Sequence, residues 1–263
     1  MSPTDPIRAV LAGFFALASV GCYQGMTTAS EGDGDTGTSG ADDGVGDDDG
    51  PSTDEDVGRV ALHRLTRLEY ESTLADLFGM SFEGADFIRG GTGAGFSNQT
   101  DLLRDISEDL AEGYIEHARD VAAEVFADPA ARDRVSTCTP ANAADTECAA
   151  GIIASFGQRA WRRPLDAEEV SRFEGHYRDA LDVGLSHDEA IEHLVRMFLG
   201  SPNFVFHVEI DADPNDTTPH RLDGFGLANR LSYMLWNSMP DNELFAVAAS
   251  GAVVEDDELV AQV

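Results

Sequence analysis

Residues 156–165 read FGQRAWRRPL and set three guanidinium groups, Arg159, Arg162 and Arg163, about the indole of Trp161. Guanidinium groups offer flat, multi-donor faces and keep their charge when partly buried. Two uses follow: an internal anchor that ties acidic helices together, or a patch that binds an anionic ligand. The anchor is the favoured reading, because ion-pair networks are the commoner use of clustered Arg among carboxylates. Trp161, Tyr233 and Trp236 form a candidate partner surface. Core packing with a satisfied polar tip is the competing use of such side chains.

The histidines and carboxylates give weaker signals. His117 falls on an apolar helix face, where an imidazole is usually a satisfied core residue. His187 and His193 lie six apart, so on a helix they cannot chelate one ion as an i, i+4 pair would. No metal set and no cofactor is expected. There is no Ser-His-Asp elbow, zincin helix or dinucleotide fingerprint, and the carboxylates are too many for one acid–base pair to stand out. Catalytic residues therefore stay unassigned.

The formal net charge of -32 argues against nucleic acid, which needs a basic footprint that this chain lacks beyond the short Arg cluster. Every basic residue is Arg. The lack of lysine excludes a P-loop lysine, a Schiff-base lysine and a pyridoxal-phosphate site from this sequence in one step. Residues 90–95, GGTGAG, have loop chemistry, but no apolar strand precedes them and no lysine follows.

The elements that must position these groups begin well into the chain. Residues 1–22 read as a lipoprotein-type signal peptide: a polar start, a short apolar core, and Ser19-Val20-Gly21-Cys22, which resembles a lipobox with Ser where Leu is usual. Cys22 is the expected lipid attachment site. A competing cut after Ala16-Leu17-Ala18 would give an unlipidated, secreted product. Residues 23–57 are Asp, Gly, Ser and Thr with few apolar side chains, the composition of a disordered acidic tether. Their acids lack the Glu that an EF-hand needs at its twelfth position.

The folded part is expected to be all-α, about seven helices, in three blocks at 58–135, 136–202 and 203–263. Thr66 and Glu69 form a capping box ahead of Tyr70, Leu74, Leu77 and Phe78, with Gly79 past the end. Ser107 caps a second helix, stopped by Pro129. Cys138 and Cys148 flank a short polar loop and are expected to pair outside the cytosol; lipidation of Cys22 leaves an even number. The next helix buries Cys148, Ile152, Ile153, Phe156 and Ala160 and is expected to end at Arg163, since Pro164 disfavours helical geometry before it. Asp166 and Ser186 open two more, the second presenting His187 and His193 on its polar face. Residues 204–210 suggest an extended run. Asp223 caps a helix expected to bury Leu227, Leu231, Met234 and Leu235, another starts near Asp241, and an amphipathic segment from Val254 reaches Val263 with its apolar face unmatched. That pattern reads as a fragment or shortened copy.

The segments RLTRLEYESTLADLFG, SEDLAEGYIEHARDVA, FGQRAWRRPLDAEEVSRF, LGSPNFVF and RLDGFGLANRLSYMLWNSMPDNEL together resemble a secreted domain-of-unknown-function family of planctomycetes and myxobacteria, sometimes fused to a c-type cytochrome. The resemblance implies an extracytoplasmic helical protein with no agreed catalytic residues. No Cys-x-x-Cys-His haem attachment is present. Two function classes follow. One is a cell-envelope lipoprotein that binds a protein or glycan partner as a scaffold, attached to the membrane through its lipid and periplasmic or surface-exposed. The other is an extracytoplasmic enzyme or an accessory subunit of a cytochrome-linked redox complex.

Overall fold

Side-chain caps mark the start of nearly every helix in the computed structural model, which describes residues 62, 64–88, 106–142, 144–210 and 222–262. The leader, the tether and the Gly90–Gly95 loop lie outside these residues. Among the described residues there are ten α-helices and no strand, so the all-α expectation holds.

α1 (Arg67–Phe78) opens with the capping box: Thr66 Oγ1 accepts from the Glu69 amide at 3.2 Å and Glu69 Oε2 accepts from the Thr66 amide at 2.7 Å. It closes on Gly79, whose φ of 71° lies in the left-handed region that glycine enters without a Cβ penalty. α2 (Glu108–Ala127) is capped by Ser107. Pro129 does not merely stop it. Asp128 ends α2 and caps α3 (Pro129–Val135), and proline takes the first helical turn, where its missing N–H costs nothing.

A disulfide joins Cys138 to Cys148, Cα atoms 5.9 Å apart, and closes the polar loop before α4 (Thr146–Trp161). α5 (Ala167–Asp182) and α6 (His187–Leu199) each begin with a capping box, Asp166 with Glu169 and Ser186 with Glu189. The expected extended run at 204–210 is partly helical. Ser201 caps a single turn, α7 (Pro202–Val205), and only then does Phe206 pair with Arg64 in an isolated antiparallel bridge. α8 (Gly224–Trp236), α9 (Asn242–Ser250) and α10 (Asp256–Gln262) complete the order.

Two cores result. The larger one joins α1 to α7 around an aromatic row in which Phe156, Trp161 and Phe173 all meet Phe198, the Phe173 and Phe198 rings stacked at 3.8 Å. α2 lies along α6, which also meets α4 and α5. The smaller core holds Ala228, Leu231, Leu244, Ala248 and Val253 between α8 and α9, while Tyr233 and Met239 join the larger.

Two boundary expectations fail for one reason: a polar side chain has to reach a distant partner. α4 ends at Trp161, not Arg163, because Arg162 turns left-handed at φ 59° and sends its side chain inward. On α8, Met234 and Leu235 are exposed rather than buried. Pointing Tyr233 into the core turns Met234, about 100° further round the helix, outward.

α4 packs on α6 through Gly157. A Cβ there would stand 2.6 Å from Leu165 Cδ1 and 2.9 Å from the Phe198 ring, whereas one at Gly151 would meet nothing within 4 Å. Gly157→Ala should therefore cost about 1 to 3 kcal/mol through overpacking. Gly151→Ala, on the exposed side of the same helix, should gain about 0.5 to 1 kcal/mol. Urea unfolding checks the pair; equal effects at the two sites would contradict the packing.

Candidate functional site

The end of α4 delivers Arg162 into the protein, where it is 2 % exposed. Among the described residues its fork meets no carboxylate. Nη2 donates to the carbonyls of Asn203 at 2.8 Å, Phe204 at 3.0 Å and Phe206 at 2.7 Å, and Nη1 donates to the Phe204 carbonyl at 3.1 Å. These are the carbonyls of α7 and its exit, which a one-turn helix cannot pair internally. Nη1 also lies 3.3 Å from Tyr233 Oη, and the guanidinium sits over the Phe204 and Tyr233 rings at 5.8 and 5.7 Å.

From Tyr233 a chain of hydroxyls has one consistent direction. Thr73 Oγ1 donates to the Glu69 carbonyl at 2.6 Å, since a carbonyl only accepts. Its single proton thus engaged, Thr73 must accept from Tyr233 Oη at 2.8 Å, leaving Tyr233 to accept from Arg162. Burial, ahead of the charges around it, holds the Tyr233 phenol above its ordinary value, so it remains a proton donor. The chain runs from α4 through α8 to α1.

The Glu69 side chain closes the cluster. Oε2 accepts from the Thr66 amide and stands 3.6 Å from His207 Nε2, and the His207 ring meets Tyr233 edge-on at 4.5 Å. Burial works against the Glu69 carboxylate, but His207 and the Thr66 donors outweigh it and hold the carboxyl below its ordinary range.

The other arginines act differently. Arg159 Nη2 caps the last carbonyls of α1, Asp76 at 3.1 Å and Leu77 at 3.3 Å. Among the described residues Arg163 alone of the three binds a carboxylate, gripping Glu169 with two bonds of 2.8 and 2.7 Å. The expectation of three arginines tying acidic helices together is thus corrected: carbonyls are the partners of Arg159 and Arg162. Trp161 and Tyr233, expected as partner surface, are each 5 % exposed and belong to the core, Trp161 Nε1 donating to the Phe198 carbonyl. Trp236 is 55 % exposed.

The histidines are also engaged. His117 Nε2 meets the Glu83 carbonyl at 2.9 Å and so carries the proton, while Nδ1 accepts from Tyr70 Oη at 3.0 Å. Burial pushes the Tyr70 phenol up and keeps it a donor. His187, expected on the polar face of its helix, is buried, with Tyr177 Oη 2.7 Å from its Nδ1. Among the described residues no group of three or more His, Cys, Asp or Glu is placed to hold a metal ion. Sequence reasoning missed Thr73 and His207 entirely and saw Glu69 only as a capping residue. The one signal available was an Arg at a helix end ahead of proline, with no residue that favours the left-handed cap.

Arg162→Met should cost about 3 to 5 kcal/mol, because it leaves buried carbonyls and Tyr233 without a donor. Arg162→Lys should recover little, since an ammonium cannot span the fork. Arg163→Met, nearer solvent, should cost less; thermal unfolding ranks the three, and an Arg162→Met protein as stable as the parent would contradict the assignment.

Acid should act through Glu69. Its folded pKa is depressed, so its contribution is present above about pH 4.5 and is lost as pH falls through the folded value. Glu69→Gln should lower stability at neutral pH and flatten the decline below that point, measured by unfolding across pH. An unchanged acid limb would show that Glu69 is not the linked group.

Three family models match successive blocks: PSD3, a protein of unknown function (DUF1587), at residues 63–127; PSD5, a protein of unknown function (DUF1595), at 148–209; and PSD4, a protein of unknown function (DUF1592), at 222–263. No curated protein and no solved structure matches the chain. Thr73 and Glu69 fall in the first block, Arg162 and His207 in the second and Tyr233 in the third, so the buried cluster draws on all three. The chain is similar, block by block, to families whose function is unknown.

Proposed function

We propose that this chain is an extracytoplasmic binding or scaffold module, held to a membrane of the cell envelope by a lipid on Cys22 and presented on its acidic tether. The observation that carries the reading is the division of labour among its side chains. Groups able to do acid–base or anion chemistry, Arg162, Glu69, Tyr233 and His117, are buried and engaged: Arg162 and His117 donate to main-chain carbonyls, Tyr233 bonds Arg162 and Thr73, and the Glu69 carboxylate accepts from the Thr66 amide. The exposed surface instead offers consecutive apolar side chains at the end of α8. The Cys138–Cys148 disulfide supports an oxidising compartment.

Metabolic labelling with palmitate tests the anchor. The parent should carry label and sediment with membranes, and Cys22→Ala should lose both. A Cys22→Ala protein that is labelled and retained like the parent would defeat the proposal.

A further inference from the structure

α8 ends in a knob. Met234 is 73 %, Leu235 38 % and Trp236 55 % exposed, three consecutive apolar residues on the last turn before Asn237 caps the helix at φ 54°. Large exposed apolar side chains gathered in one place mark docking surfaces more often than scattered ones do, and methionine and tryptophan adapt well to partners. Their electrostatic setting selects the partner. The C-terminal end of a helix carries partial negative charge, and α8 has no basic residue in its last turn to offset it. Asp241 and Glu243, just beyond, are exposed, as is Asp76, to which Ser238 donates. Two guanidinium groups of this region are engaged elsewhere, Arg159 on the α1 carbonyls and Arg230 on Glu209, while Arg134 lies beside Arg159 at the end of α1.

We infer that this knob docks a cationic apolar segment of a partner protein, arginine or lysine side chains interleaved with large aliphatic ones. The apolar side chains would cover Met234 and Leu235. The cations would meet the open helix end, the Asp241 and Glu243 carboxylates and the face of Trp236. The same field repels anionic lipid headgroups, which disfavours a membrane as the occupant. The inference rests on the binding-module reading and names the partner's chemistry.

The test uses the full chain and a synthetic peptide of alternating Leu and Arg pairs, with Leu/Glu and Ser/Arg counterparts. The chain has two tryptophans, and Trp161 is buried, so a change in emission on binding reports Trp236. The Leu/Arg peptide should bind saturably by calorimetry, shift the emission to the blue and weaken with salt. Met234→Ser with Leu235→Ser should weaken it at least tenfold while leaving the melting temperature unchanged. Equal binding of the Ser/Arg peptide, or no loss in the double variant, would show mere attraction to the acidic chain and overturn the inference. A blue shift with the Leu/Glu peptide, with phosphatidylglycerol vesicles, or with self-association in sedimentation would keep the surface and reject the partner chemistry. No shift with any of these would overturn the docking inference and leave the anchored-module reading to the palmitate labelling of Cys22.

Discussion

A guanidinium buried against main-chain carbonyls is the constraint on which the rest of this structure depends. Placing a full charge in a protein interior costs several kcal/mol, and without good partners Arg162 would unfold its surroundings. Its partners are the carbonyls of α7, a helix too short to pair them internally. Each half of the interaction therefore needs the other: the charge needs acceptors, and the Asn203, Phe204 and Phe206 carbonyls need a donor with several N–H groups. Arg supplies that fork in one planar group, which Lys cannot.

The geometry around it follows. To send the side chain inward, Arg162 adopts a left-handed backbone that costs a non-glycine residue on the order of 1 kcal/mol, tolerable only where surrounding contacts over-determine it. Ending α4 there leaves Trp161 edge-on to Phe198 and Phe173, with the Arg163 guanidinium 5.4 Å from its ring and bound to Glu169. Tyr233 must point inward to complete the hydroxyl chain, and this rotates α8 until Met234 faces out. One polar requirement thus sets a helix end, a helix rotation and the character of an exposed surface.

Much of the helical frame was legible because its signals are local. The capping boxes at Thr66, Asp166 and Ser186, the caps at Ser107 and Asp223, and the apolar faces of α1 and α4 all depend on residues three or four apart. The pairing of Cys138 with Cys148 could be read from their short separation and the expected compartment. The cluster around Arg162 could not, because its partners lie 40 and more residues away and most of them are main-chain carbonyls that any residue type supplies. Acidic composition pointed to carboxylate partners, and among the described residues only Arg163 of the three has one. α8 failed for a related reason: Leu227, Leu231, Met234 and Leu235 make a good apolar stripe, but a stripe through Ala228, Leu231 and Ser232 is equally helical, and a buried tyrosine hydroxyl decides between them.

The central consequence is that the three family-matched blocks behave as one cooperative unit coupled through Arg162, Tyr233 and Thr73. Native-state amide hydrogen exchange on Tyr233→Phe measures this directly, since the substitution removes one hydroxyl and breaks the chain between α4 and α1. Protection should fall together, and by a similar free energy, in α1, α7 and α8. A loss confined to α8, with α1 and α7 as protected as in the parent, would contradict the coupling.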